Sequence, residues 1–150
     1  MIVKIKTRIK PTEDRDKVVK AVRNIFRDAQ IFIDENNILI AEAKSLKKLK
    51  ELIRKQAILD AVRMVLEKGI SGNSTRFVLN KQAAYCGVIN VDRDIHGGIE
   101  VKIIAEEGED IKAIVRDIAP RTKDGKIVKE EEILEGEVSD RGDNYSIEQK

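Results

Sequence analysis

Residues 2 to 10 alternate strictly between two kinds of side chain. A period of two is typical of a β-strand with one face buried and the other face in solvent. The face expected to be buried carries Val3, Ile5, Thr7 and Ile9. The opposite face carries a row of positive charges, here termed the basic ladder, which consists of Lys4, Lys6, Arg8 and Lys10. The pattern predicts a first strand that presents this ladder to solvent.

Helical and strand-like patterns follow in turn as far as Pro120. Apolar residues recur at helical spacing over residues 18–26, 45–68 and 110–118. Short apolar runs predict strands at residues 30–34, 38–43, 76–79 and 99–105. The apolar stripe of the long second helix shifts near Gln56, which predicts a bend there. The resulting order, β-α-β-β-α-β-β-α, predicts an α+β fold with a largely antiparallel sheet and helices packed on one face.

Polar residues interrupt an apolar run in the segment RFVLNKQAAYCG, residues 76–87. The interrupting residues are Asn80, Lys81 and Gln82. One interpretation is structural, since Asn80 can cap a short helix that ends at Gly87. The other is functional, because Lys81, Gln82 and the free N–H groups of the first helical turn can form a seat for phosphate.

Charge is unevenly distributed along a chain whose net charge is only +2. Residues 1–105 contain 21 Lys and Arg against 13 Asp and Glu, whereas residues 106–150 contain 8 against 14. The chain length and the 41% hydrophobic content fit one domain over residues 1–120, followed by an acidic, partly disordered tail over residues 121–150. The basic body is expected to attract phosphates, and the tail either competes as a polyanion or serves solubility.

The sequence offers no constellation of residues for catalysis or metal binding. It contains one histidine, His96, and one cysteine, Cys86, whose apolar neighbours predict a buried thiol. We therefore expect a protein that is not an enzyme and needs no cofactor and no metal. No apolar run approaches the roughly 18 residues of a membrane span, so we expect a cytoplasmic protein without membrane association. The charged fraction of 37% is compatible with a thermophilic source.

The basic ladder has two interpretations. Its side chains are expected to project about every 6.6 Å, close to the spacing of phosphates along an extended nucleic-acid strand. Lysines on an exposed strand also prevent sheets from pairing edge to edge. A second basic group along the start of the long helix is explained by a solvated helix face. Its members are Lys44, Lys47, Lys48, Lys50, Arg54 and Lys55.

Five segments spread over residues 1–125 carry a family resemblance. They are IKPTEDRDKV (9–18), ILDAVR (58–63), LNKQAAYCG (79–87), GGIEV (97–101) and IAPRTKDG (118–125). In this order they resemble the hallmark segments of the archaeal uncharacterised protein family 0201. That family is grouped with archaeal proteins labelled RNA-binding, and its fold resembles that of the ribosomal protein that binds 5S rRNA. The resemblance implies the same α+β fold and, by analogy, RNA binding. It implies no catalytic residues.

The residues and the resemblance together are compatible with two functions. The first is a non-catalytic module that binds structured RNA through the basic ladder and the turn Asn80-Lys81-Gln82. The chain has only three Phe and two Tyr, and the phenylalanines occupy core-like positions, so contacts to phosphates and 2′-OH groups fit better than base stacking. The second is a structural or protein-interaction module without nucleic-acid binding, which forms a homodimer through an open sheet face or edge.

Overall fold

The computed structural model describes residues 1–92, 97–123 and 126–127, and within them one antiparallel sheet contains seven strands. These are β1 (Ile2–Arg8), β2 (Gln30–Ile33), β3 (Ile38–Ala43), β4 (Ile70–Ser71), β5 (Ser74–Leu79), β6 (Val91–Asp92) and β7 (Ile99–Ile104). Their order across the sheet is β2-β3-β1-β7-β5-β4, with β6 paired to β5. The helices are α1 (Arg15–Ile25), α2 (Lys47–Gln56), α3 (Leu59–Lys68), α4 (Lys81–Tyr85) and α5 (Ile111–Ile118). A separate hairpin joins β8 (Thr122–Lys123) to β9 (Lys126–Ile127).

The sheet has one face in the core and one face in solvent. Val3, Ile5 and Thr7 of β1 are buried, whereas the residues between them are exposed. The alternation continues in β3 and β7, whose buried residues are Leu39, Ala41, Ala43, Ile99, Val101 and Ile103. The helices supply the other side of the same core, through residues that include Val22, Ile25, Ile53, Leu66 and Val115. The predicted α+β class, with a largely antiparallel sheet and helices on one face, is confirmed.

The order of elements along the chain differs in part from the prediction. The long elements occur in the predicted order, but the single helix predicted over residues 45–68 is two helices. Ala57 adopts φ 59° between them, and the N–H of Ile58 donates to the carbonyl of Ile53 at 3.2 Å, which closes the end of α2. The left-handed conformation costs alanine about 1–2 kcal/mol, and in return Ile58 packs against the core. The bend predicted near Gln56 is confirmed.

The first residues of the predicted tail are held by α3. Arg63 pairs with Asp60 at 3.0 Å and donates to the Pro120 carbonyl at 3.3 Å. The hydroxyl of Thr122 donates to the Asp60 carboxylate at 3.2 Å. Most of the acidic, partly disordered tail predicted over residues 121–150 lies outside the described residues, since nothing is described beyond residue 127.

Candidate nucleic-acid interface

Strand β1 places the basic ladder on the open face of the sheet. Lys4, Lys6 and Arg8 are exposed, and Lys10 is exposed just beyond the end of the strand. Because side chains alternate across a strand, the three residues within β1 share one face at intervals of about 6.6 Å. The structure therefore brings these ladder residues together on one surface.

Two cations from neighbouring strands extend the ladder sideways. Lys4 lies opposite Lys102 of β7, and Lys102 lies opposite Arg76 of β5. All three are exposed, and directly opposite residues stand about 5 Å apart on the same face of a sheet. They form a row of positive charge perpendicular to the ladder. Sequence reasoning missed Lys102 and Arg76, because residues of different strands can be placed side by side only when strand order and register are known.

Two glutamates reduce the positive charge of this face. The carboxylate of Glu42 lies 3.8 Å from the Lys4 ammonium, and that of Glu100 lies 3.6 Å from the Arg76 guanidinium. All four side chains are more than half exposed. Such exposed pairs contribute about 0–1 kcal/mol to stability, so a phosphate can replace either carboxylate at small cost.

The segment predicted to hold a phosphate seat is a strand followed by the short helix α4. Asn80 caps this helix, because its Oδ1 accepts a hydrogen bond at 2.8 Å from the N–H of the third helical residue. Gly87 follows with φ 75°, a left-handed conformation that favours glycine. Asn24 of α1 donates to the carbonyls of Ala84 and Tyr85 at 3.0 and 2.9 Å. These bonds tie the end of α4 to α1.

The side chain of Lys81 is bonded within the protein. Its ammonium group donates to the carboxylate of Glu13 at 2.9 Å and to the backbone carbonyl of Arg8, the last residue of β1. The side chain is only 11% exposed, so a phosphate reaches the ammonium only by displacing Glu13. Lys81 therefore positions the end of the basic ladder. Gln82 is exposed in the first turn of α4.

The contacts around Glu13 change its acidity. Partial burial by itself raises the pKa of the Glu13 carboxyl. The hydrogen bonds from the Lys10 N–H, at 2.7 Å, and from the Lys81 ammonium outweigh burial and hold the pKa below its ordinary value. Glu13 is therefore ionised at neutral pH and links the end of β1 to α4.

The second basic group divides between two sides of α2. Lys50 pairs with Asp117 of α5 at 2.8 Å, and Arg54 donates to the Asp117 carbonyl at 3.1 Å. Both residues therefore fasten α5 to α2. Lys48 and Lys55 instead line a groove that α2 shares with α1. The predicted solvated helix face accounts for only part of this group.

An exposed apolar pair lies towards one edge of the open face. Phe32 of β2 and Ile40 of β3 stand opposite each other and are 65% and 45% exposed. The expectation that Phe32 belongs to the core is wrong, because Ile31 and Ile33 take the inward positions of β2. The other two phenylalanines are buried as expected.

The described ranges offer neither a metal-binding cluster nor a membrane-spanning helix. No group of three or more His, Cys, Asp and Glu side chains there is suited to hold a metal ion. None of the helices in those ranges is long and apolar enough to cross a membrane. Cys86, expected to be buried, is exposed, since it follows the last turn of α4 at the surface.

Sequence comparisons point to a single family. A family model described as RNA binding matches residues 2–105. A UPF0201 protein of Methanocaldococcus jannaschii is 57% identical over 139 residues, which cover 90% of this chain and 82% of the relative. A UPF0201 protein of Thermococcus kodakarensis is 39% identical over 129 residues, which cover 82% of this chain and 92% of the relative.

Solved structures agree with these relatives. A crystal structure of a UPF0201 protein from Methanococcus jannaschii has a TM-score of 0.78 at 56% sequence identity. The match covers 83% of this chain and 97% of the chain in that crystal structure. A DUF54 protein from Archaeoglobus fulgidus shares the fold at 21% sequence identity, with a TM-score of 0.58. That match covers 79% of this chain and 96% of the DUF54 chain. The likeness to the ribosomal protein that binds 5S rRNA stays a prediction. The chain belongs to the archaeal uncharacterised protein family UPF0201, the family that its five segments resemble.

Proposed function

We propose that the protein is a non-catalytic, cytoplasmic module that binds structured RNA through the phosphate backbone. The observation that carries this proposal is the open sheet face, on which the basic ladder, Lys102 and Arg76 make a connected set of exposed cations. Membership of a family whose model is described as RNA binding supports RNA as the ligand. Phosphate contacts supply nearly all of the nonspecific affinity for nucleic acids and fix the orientation of the protein.

The aromatic side chains favour folded RNA over single strands. Two of the three phenylalanines are buried, and Phe32 lies towards an edge of the open face. Stacking platforms for successive bases are therefore poorly supplied. Duplex or otherwise folded RNA is recognised instead by shape and by contacts to phosphates and 2′-OH groups.

The turn Asn80-Lys81-Gln82 supports this interface from one end. Asn80 caps α4, and Lys81 fixes the carbonyl of Arg8 at the end of the ladder. Gln82 is the exposed residue of the three and the one that we propose meets RNA. Asn80 and Lys81 act as positioning residues in this arrangement.

The proposal is tested by removing the ladder charges. The variant Lys4→Gln, Lys6→Gln, Arg8→Gln should bind an RNA duplex roughly 3- to 100-fold more weakly at low salt, since exposed ionic contacts are each worth about 0.2–1 kcal/mol. Fluorescence anisotropy with labelled duplex RNA measures the affinity. The matched control, Lys68→Gln, Lys112→Gln, Arg116→Gln, removes the same charges from exposed positions of α3 and α5 and should bind nearly as well as the wild type.

The exposed pair Phe32 and Ile40 favours a second candidate function, a structural or interaction module that forms a homodimer through the open face. In that case the ladder variant and its control would have equal affinities for RNA. Sedimentation would also show a stable dimer that Phe32→Ser dissociates. Equal affinities in two folded variants contradict the proposal of RNA binding through the ladder.

A further inference from the structure

A basic groove lies on the helical side of the protein, between α1, α2 and the end of α4. It has a volume of about 710 Å³ and opens to solvent. Its positively charged lining residues, here termed the groove cations, are Lys20, Arg23, Arg27, Lys48 and Lys55. Lys20 and Arg23 are three residues apart on α1, and Arg27 lies in the turn just after that helix. Lys48 and Lys55 are seven residues apart on α2, so the members on each helix share one face.

Little negative charge lies near the groove cations. None of the residues that line the groove is acidic. In the part of the chain that the structure describes, Arg23, Arg27 and Lys55 form no ion pair, and Lys48 lies 3.9 Å from Glu51. Lys20 and Arg23 are neighbours three residues apart on α1, so their like charges repel each other in the free protein. A bound anion relieves this repulsion.

The wall formed by the end of α4 is fixed in place. Asn24 holds the carbonyl of Tyr85 at 2.9 Å, and the Lys20 ammonium lies 4.9 Å from the centre of the Tyr85 ring. The amide of Gln56 bonds both backbone groups of Ile89, at 2.9 and 2.7 Å, and so anchors the segment that follows α4. Because the groove is preformed, a ligand binds there without ordering the backbone.

The dimensions of the groove suit a chain of phosphates. Seven residues of α2 separate Lys48 from Lys55, which corresponds to about 10 Å along that wall of the groove. That length exceeds the size of one phosphate group and accommodates consecutive phosphates. Arginine guanidinium groups, such as those of Arg23 and Arg27, bind phosphate oxygens through paired hydrogen bonds.

We propose that the groove binds the phosphates of an RNA segment as a second site, separate from the basic ladder. This inference rests on the RNA-binding function proposed above. The helices cover the face of the sheet that is opposite the ladder, so the two sites lie on opposite layers of the molecule. A short duplex is a straight rod and cannot contact both layers at once. The protein therefore holds two RNA segments, or two parts of one folded RNA.

The single cysteine reports directly on the groove. Cys86 lines it and is exposed, so a thiol reagent such as N-ethylmaleimide should alkylate Cys86 in the free protein. Duplex RNA at about ten times its dissociation constant for the groove should slow alkylation about tenfold, since the occupied site excludes the reagent. Mass spectrometry follows the reaction, and anisotropy on the same sample confirms that RNA is bound.

Two variants separate this inference from the proposed function. Arg23→Gln, Arg27→Gln, Lys55→Gln should abolish the protection of Cys86 while RNA still binds through the ladder. The ladder variant should keep the protection. Alkylation at an unchanged rate while RNA is bound would overturn the groove site and leave the proposed function standing. Protection that persists in the groove variant also overturns the groove site, and a complete lack of RNA binding by the wild type overturns both proposals.

Discussion

The basic ladder and the groove cations are both sets of positive charge at the surface, but their surroundings differ. The ladder lies on and directly after one strand, and its face includes Glu42 and Glu100. The groove takes its cations from α1, the turn after α1 and α2, and none of its lining residues is acidic. Among the described residues only one groove cation, Lys48, forms an ion pair, with Glu51 at 3.9 Å. The charge of the open sheet face is therefore partly compensated in the free protein, whereas the charge of the groove has little compensation.

This difference shows that the number of cations alone is a poor guide to an anion site. Uncompensated cations repel each other in the free protein and gain most when an anion arrives. Cations beside carboxylates must first exchange one partner for another. The groove should therefore lose more RNA affinity per charge removed than the ladder.

The largest effect on stability is expected at the end of the ladder. Glu13→Gln should lower the free energy of unfolding at pH 7 by about 1–3 kcal/mol, because the Lys81 ammonium, only 11% exposed, then lacks its ionic partner. The lowered pKa of Glu13 means that its contribution is complete above the ordinary glutamate range and is lost as pH falls through the lowered value. The stability difference between wild type and variant should therefore shrink in acid.

Urea denaturation at pH 7 and at pH 3 measures this difference. Glu67→Gln is the matched control, since Glu67 is exposed and has no ion pair among the described residues. A Glu13→Gln protein as stable as the wild type at pH 7 would show that Lys81 does not depend on Glu13. In that case the Lys81 ammonium would be available to bind a phosphate of the RNA.

A smaller effect is expected at the start of α2, where one groove cation lies. Lys47 and Lys48 occupy the first turn, which contains no acidic residue, and a cation there opposes the helix dipole. Lys48→Gln should raise the free energy of unfolding by about 0.3–1 kcal/mol, because a cation is removed from the positive end of the helix dipole. The energy of the lost ion pair with Glu51 is subtracted from this gain. The same substitution at Lys47 should give a similar gain.

Only the Lys48 variant should weaken RNA binding, because Lys47 does not line the groove. Thermal denaturation and RNA anisotropy on both variants make the comparison. An equal loss of RNA affinity in the two variants would show that general charge, and not the groove, attracts the RNA.

Most of the fold could be predicted from local patterns. The strict alternation of β1, the short apolar runs of β2 and β3 and the cap at Asn80 each depend on neighbouring residues. The break at Ala57 could not be predicted in detail, because alanine favours helix and its left-handed conformation is imposed by the packing of Ile58. The exposure of Phe32 depends on which side of β2 faces the core, and its short apolar run does not determine that side.

The candidate site was predictable only where it lies within one strand. The basic ladder follows from a period of two, whereas Lys102 and Arg76 join it through strand pairing. The groove cations extend from residue 20 to residue 55 and meet only after α1 and α2 pack together. Lys81 was predicted to form part of a phosphate seat, and its bond to Glu13, 68 positions away in sequence, could not be predicted. Contacts of this range leave no periodic signal.

Binding of RNA through its phosphates is tested most directly by the salt dependence of affinity. The dissociation constant of the wild type for duplex RNA is measured by anisotropy over a series of salt concentrations. We expect a steep linear fall of log affinity with log salt, and neutralising the three ladder residues or the three groove residues should each reduce the slope by roughly 2–3. Affinity that does not change with salt, or an absence of RNA binding at low salt, would contradict RNA binding by either surface.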